Sequence, residues 1–122
     1  MRIVLDFKTP SVNHLYFNYR NVRILTKEAR ELKKKIIEQV EDMDLEFDVN
    51  DDTQLAVDIF VHENWFSKSG NILRKDVANR EKFLIDAIFD ALKIDDKHIF
   101  SNCLYKVQDE KKEFCVINIT KK

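Results

Sequence analysis

Glycine and proline are almost missing from this chain: Gly70 and Pro10 are the only ones among 122 residues. There is accordingly no Gly- or Pro-rich linker, no low-complexity tract and no internal repeat, and the length fits one domain with one core. Cysteine is scarce too. Cys103 and Cys115 lack a CxxC spacing and close histidine partners, which argues against zinc, and the expectation is two buried, reduced thiols on neighbouring strands. His14, His62 and His98 show no metal-ligand spacing; His98 follows Asp96 by two positions and reads as a turn residue. No apolar run approaches the roughly 20 residues that cross a bilayer. Met1–Asp6 holds no signal-peptide core, so a cytoplasmic protein is expected.

Charge of one sign is not in excess. The net charge is -1, so the chain as a whole is not basic. The charges are nonetheless segregated. Arg20 to Lys35 carries seven cations (Arg20, Arg23, Lys27, Arg30, Lys33, Lys34, Lys35) against Glu28 and Glu31, whereas Glu38 to Asp52 carries eight acids and no Lys or Arg. A neutral total can hide a basic face, and phosphate binding needs only the face. Hydrophobic residues make up 44%, enough for a core, so the 35% of charged residues is not a sign of disorder.

Period-two alternation marks a first strand over Arg2–Phe7 and a long strand over Leu55–Phe66. Tyr16–Leu25, turning at Tyr19-Arg20-Asn21, reads as a hairpin. Thr26 is a good N-cap, and Ala29, Leu32, Ile36, Val40 and Met43 recur at helical spacing behind it, giving a helix from Lys27 to about Asp42. A second helix is expected over Asn79–Leu92, with Leu84, Ile88, Ala91 and Leu92 as its apolar stripe. Ser67–Asn71 reads as a flexible loop able to touch DNA. Asn102–Val107 and Glu113–Thr120, joined by Gln108–Lys112, read as a C-terminal hairpin. Trp65, Phe66 and Phe100 are expected in the core or an interface. The order implies a single α+β domain over residues 1–122, a mixed β-sheet with two main helices packed on it.

Arg74 to Asp96 carries the chemistry. Asp76 precedes the second helix beside Arg74 and Lys75, and its plain role is an N-cap acid. Asn79, Lys82, Asp86 and Asp90 fall on one polar helix face, which an ordinary solvated stripe also explains. Asp95-Asp96 follows the helix, where adjacent acids commonly serve turns. A helix of about 14 residues holds its two ends about 20 Å apart. Asp76 and Asp95-Asp96 therefore share an ion only if the chain folds back or a second protomer supplies one of them.

Together Asp76, Asn79, Lys82, Asp86-Ala87 and Asp95-Asp96, with Pro10-Ser11-Val12-Asn13 and Tyr16 near the N-terminus, resemble the RusA family of Holliday-junction resolvases. The resemblance covers most of the chain. It implies a small homodimer, often prophage-encoded, that uses a divalent metal, usually Mg²⁺ with Mn²⁺ as a plausible substitute, to nick four-way DNA junctions symmetrically. Carried over by position, it implies catalytic Asp76, Lys82 and Asp96; metal ligands Asp76, Asp95 and Asp96; and DNA contacts at Arg74, Lys75, Asn79, Lys82 and Asn13. No small-molecule cofactor and no membrane are implied. The chemistry is consistent: carboxylates with a hard cation activate water and offset developing charge, and a lysine adds a fixed positive charge.

One position departs from the family's Asp-x-Asp-Asn pattern: Ala78 stands where the second acid is usual. A divergent site, a substitution made to trap a complex, and a protein that binds junctions without cutting them all account for it. For the dimer, the aromatic hairpin (Tyr16, Phe17, Tyr19) and an edge strand at Phe114–Ile119 are the candidate surfaces.

Overall fold

A computed structural model describes residues 1–9 and 16–122, so the Pro10–Asn13 motif, including Asn13, lies outside the described residues. In chain order the elements are β1 (Arg2–Leu5), β2 (Tyr16–Tyr19), β3 (Val22–Leu25), α1 (Lys27–Asp42), β4 (Leu55–Glu63), α2 (Glu81–Leu92), β5 (Ile99–Gln108) and β6 (Phe114–Lys121). Single 3-10 turns at Val77–Arg80 and Asp96–His98 bracket α2. The architecture is α+β. One mixed four-stranded sheet, in the order β1-β6-β4-β5, carries the core, and β2-β3 form a separate two-stranded hairpin.

The elements arise from local chemistry. In β4 every second residue from Leu55 to Glu63 is buried, and the residues between are half-buried. That is the pattern of a central strand with one face in the core. β4 pairs antiparallel with β6, setting Val57 beside Ile119, Ile59 beside Ile117 and Val61 beside Cys115. Against this face α1 buries Ala29, Ile36 and Val40. α2 buries nearly every apolar residue it has, from Phe83 to Ala91. The opposite face stacks Phe60 on Tyr105 at 4.7 Å and His62 on Phe114 at 4.1 Å, cross-strand aromatic pairs on a half-solvated surface. α1 begins where expected: the Thr26 hydroxyl accepts the Ala29 amide at 3.2 Å. The β2-β3 hairpin turns through Arg20 and Asn21, both at positive φ (50° and 64°), the signature of a type I′ turn.

Several expectations are corrected. β5 and β6 do not form a hairpin, because β4 lies between them. β4 runs parallel to β5, and parallel neighbours need a crossover, here the segment containing α2. The polar segment after β5 passes over the end of β4, where the Asp109 amide donates to the Glu63 carbonyl at 3.0 Å. In sequence, a short polar link between two strands looks the same whether they pair directly or flank a third. It follows that Phe114–Ile119 is not an edge; β1 and β5 are the sheet edges. Nor are the cysteines on neighbouring strands: Cys103 is exposed on β5 and Cys115 buried on β6. β4 stops at Glu63, three residues short of Phe66, and β5 starts at Ile99, three before Asn102. The second helix starts as a 3-10 turn and becomes α-helical only at Glu81. Trp65 is a core residue, but Phe66 and Phe100 are exposed. Ser67–Asn71 is a loop, as expected, with the Ser67 amide donating to the Asn71 carbonyl at 2.8 Å and Gly70 at φ 87°. Buried His98 closes the turn before β5, its Nδ1 2.9 Å from the Thr53 carbonyl.

Candidate functional site

The segment Arg74–Arg80 runs from the loop after Trp65 into α2, and its charged residues divide by burial. Asp76 is exposed and caps the 3-10 turn, one carboxylate oxygen accepting the Ala78 amide at 3.0 Å. Arg74 is exposed, Asn79 half-buried. Lys82 extends into solvent, its amine 3.6 Å from Asp86, an i,i+4 pair that solvent weakens to a few tenths of a kcal/mol. Exposed Ala78 presents only a methyl group.

Lys75 behaves differently from its neighbours. Its amine donates to Glu63 Oε2 at 2.9 Å and to the Asn64 carbonyl at 2.8 Å. Arg80 donates to Glu63 Oε1, also at 2.9 Å, and to the Thr9 carbonyl. Glu63 and Arg80 are both buried, at 1% and 4% exposure. Trp65 forms the neighbouring wall, with Lys106, Lys75 and Arg80 at 4.9, 5.5 and 5.7 Å from its ring. Its indole N–H donates to the Val61 and Val107 carbonyls at 3.1 Å. Removing one partner of a buried ion pair of this kind costs about 3–5 kcal/mol, since a charge is left without compensation. Sequence reasoning missed Glu63, Arg80 and this role of Lys75. One signal was present: Glu63 continues the buried phase Leu55, Val57, Ile59, Val61, and a charge in that phase demands a buried partner.

The distal acids lie at the other end of α2, about 18 Å away for a helix of 12 residues. Lys93 ends α2 in the left-handed region at φ 58°, and the chain folds back. Asp95 caps the next turn by accepting the Lys97 amide at 2.9 Å. Asp95 and Asp96 line an open cavity of about 570 Å³ together with Asp86 and Asp90, flanked by Lys33 and Lys93. Lys33 of α1 stands 3.9 Å from Asp90. The fold thus brings Asp86, Asp90, Asp95 and Asp96 to one cavity and leaves Asp76 at the far end of the helix. Among the described residues no group of three or more His, Cys, Asp or Glu side chains is placed to hold a metal ion. A single chain therefore does not gather the expected Asp76, Asp95 and Asp96 around one ion.

The family described as endodeoxyribonuclease RusA matches residues 7–120. The chain belongs to the RusA endodeoxyribonuclease family. A comparison with curated proteins finds no match. The RusA match spans β2 through β6 and almost reaches both termini, so the Asp76–Lys82 segment, the cavity acids and the buried Glu63 network all sit on the RusA domain itself.

Proposed function

We propose that this chain is a resolvase that nicks four-way DNA junctions during recombination and repair. The observation that carries the reading is the RusA match over nearly the whole chain, with Asp76, Asn79 and Lys82 at the solvent-facing entry to α2. Lys82 is exposed, as a side chain that meets a phosphate must be. Arg74 is exposed too, and on α1 Lys27, Arg30, Lys34 and Lys35 are exposed as well. These cations support backbone contacts that place DNA, with affinity falling steeply as salt rises. The family's usual setting, phage or prophage DNA in the cytoplasm, is part of the same proposal. No helix among the described residues is long and apolar enough to cross a membrane.

Magnesium, with manganese as a substitute, is the proposed cofactor, because carboxylates without a His/Cys cluster suit a hard cation. When bound, such an ion supplies an activated water and a counter-charge for the phosphorane. The acids described in one protomer do not fit a shared ion, so no step is assigned to it. A homodimer answers this gap in the proposal: a two-fold partner can bring the distal acids near Asp76, and a symmetric junction needs two matching sites. A second reading, junction binding without cleavage, is favoured by Ala78 alone, which has no oxygen to offer where the family's acid stands.

A nicking assay on a synthetic four-way junction, with Mg²⁺, Mn²⁺ or EDTA, decides between the readings. Metal-dependent paired nicks by the native chain, lost in Asp76→Asn, are expected. Salt-sensitive junction binding with no product would select the second reading. Ala78→Asp is the companion: a gain of tenfold or more identifies a site lacking one acid.

A further inference from the structure

We propose that Glu63 is a positioning residue for Asp76, holding the Arg74–Arg80 segment through Lys75 and Arg80, and that Lys75 serves this clamp rather than DNA. The proposal rests on the nuclease reading for its functional meaning, but the clamp has its own test. Glu63 is the last residue of β4, an interior strand, where it is held on the β5 side by its pairing with Gln108 and by the Asp109 amide on its carbonyl. Its two carboxylate oxygens are divided between two cations, Oε2 to Lys75 and Oε1 to Arg80, each at 2.9 Å. Those cations bracket Asp76 in the chain, one residue before it and four after it. A single carboxylate thereby pins both ends of the short loop that displays Asp76.

Three further observations tie the loop down. The Lys75 amine has a second acceptor, the Asn64 carbonyl at 2.8 Å, so two of its three protons already have acceptors within the protein. Trp65 packs beside both cations, and its own backbone amide donates to Gln108 Oε1 at 2.7 Å on β5. Arg80 also reaches the Thr9 carbonyl, so the same guanidinium joins the entry to α2 with the chain just after β1. A buried ionic cluster of this kind does little for stability compared with an apolar replacement. Its consequence here is geometric: it fixes where an exposed carboxylate points.

The test uses the full chain and the neutral double variant Glu63→Gln/Arg80→Gln. Amide exchange at Ala78, whose N–H is held by Asp76, is expected to speed up tenfold or more at an unchanged melting temperature. Junction nicking is expected to fall tenfold or more while junction Kd stays within twofold. Exchange at Ala78 unchanged in a folded double variant overturns the clamp. Should that variant not fold, Lys75→Met decides, since it leaves the Glu63–Arg80 pair intact. An unaltered salt slope of junction binding with slower nicking, or faster Ala78 exchange, supports the proposal. A slope smaller by about one, with Ala78 exchange unchanged, makes Lys75 a phosphate contact and overturns it. A native chain that nicks no junction removes the nuclease reading alone; exchange and salt slope still decide the clamp.

Discussion

At Asp76 one carboxylate oxygen accepts the Ala78 amide, so capping and the proposed chemistry fall on the same side chain and are separable by substitution. Asparagine caps a helix about as well as aspartate, whereas alanine loses about 0.5–2 kcal/mol. Asp76→Asn is therefore expected to hold its stability within about 0.5 kcal/mol of the native chain while losing nicking. Asp76→Ala should lose both, as read by urea denaturation beside the nicking assay. The cysteines offer a second residue-scale prediction. Burial pushes the Cys115 thiol up from 9.0 to about 11. Ellman's reagent at pH 8 should titrate exposed Cys103 in the native protein and Cys115 only after unfolding. The sign of the pH effect follows from the raised value. Below pH 9 the thiol is protonated in both states. As pH rises from 9 to 11 the unfolded thiol ionises while the native one keeps its proton, so this contribution to stability is present below that window and lost through it.

Among the elements, α2 is where sequence and structure bear most directly on the site. It places Asp76 before its first turn and Asp95 after its last, with its 12 residues between them. Its C-terminus ends on Lys93 at φ 58°, a left-handed residue with a β-carbon. That conformation costs a non-glycine residue about 1–2 kcal/mol, partly offset by glycine's larger loss of chain entropy. Lys93→Gly is expected to raise stability by about 0.5 kcal/mol and to leave the cavity acids in place. A lower melting temperature would show that the Lys93 side chain, which lines the cavity with Asp86, Asp90, Asp95 and Asp96, matters more than its backbone. β4 is the other decisive element. Its buried phase supplies Leu55, Val57, Ile59 and Val61 to the core and then delivers Glu63 to the ion network, so the strand that organises the sheet also orients the candidate site.

At the scale of the whole molecule, the proposed dimer is what would join the separated acids. A lone chain separates Asp76 from Asp95 and Asp96 along α2, and it leaves Phe17, Tyr19 and Val22 of the hairpin and Phe100 and Tyr105 of edge strand β5 exposed. Sedimentation equilibrium is expected to give a dimer at micromolar concentration. Phe17→Ser/Tyr19→Ser should shift it towards monomer if the hairpin is the contact, and Phe100→Ser/Tyr105→Ser if the β5 edge is. A native chain that stays monomeric, with or without junction DNA, would sink the two-protomer site.

Much of this was legible along the chain. Thr26 capping α1, the Arg20-Asn21 turn, the apolar stripe of α2 and the motif from Asp76 to Asp96 are written in residues a few positions apart, because periodicity and capping are local. The insertion of β4 between β5 and β6 was not legible. Pairing across a sheet is settled by which distant strand best covers the core, and a short polar link does not record that choice. The fold alone also decided that Lys75 turns inward to Glu63, that Arg80 reaches Thr9, and that four acids share a cavity which Asp76 does not enter. Each of these depends on side chains far apart in sequence meeting in a low-dielectric interior or across a fold-back, where burial selects the partner.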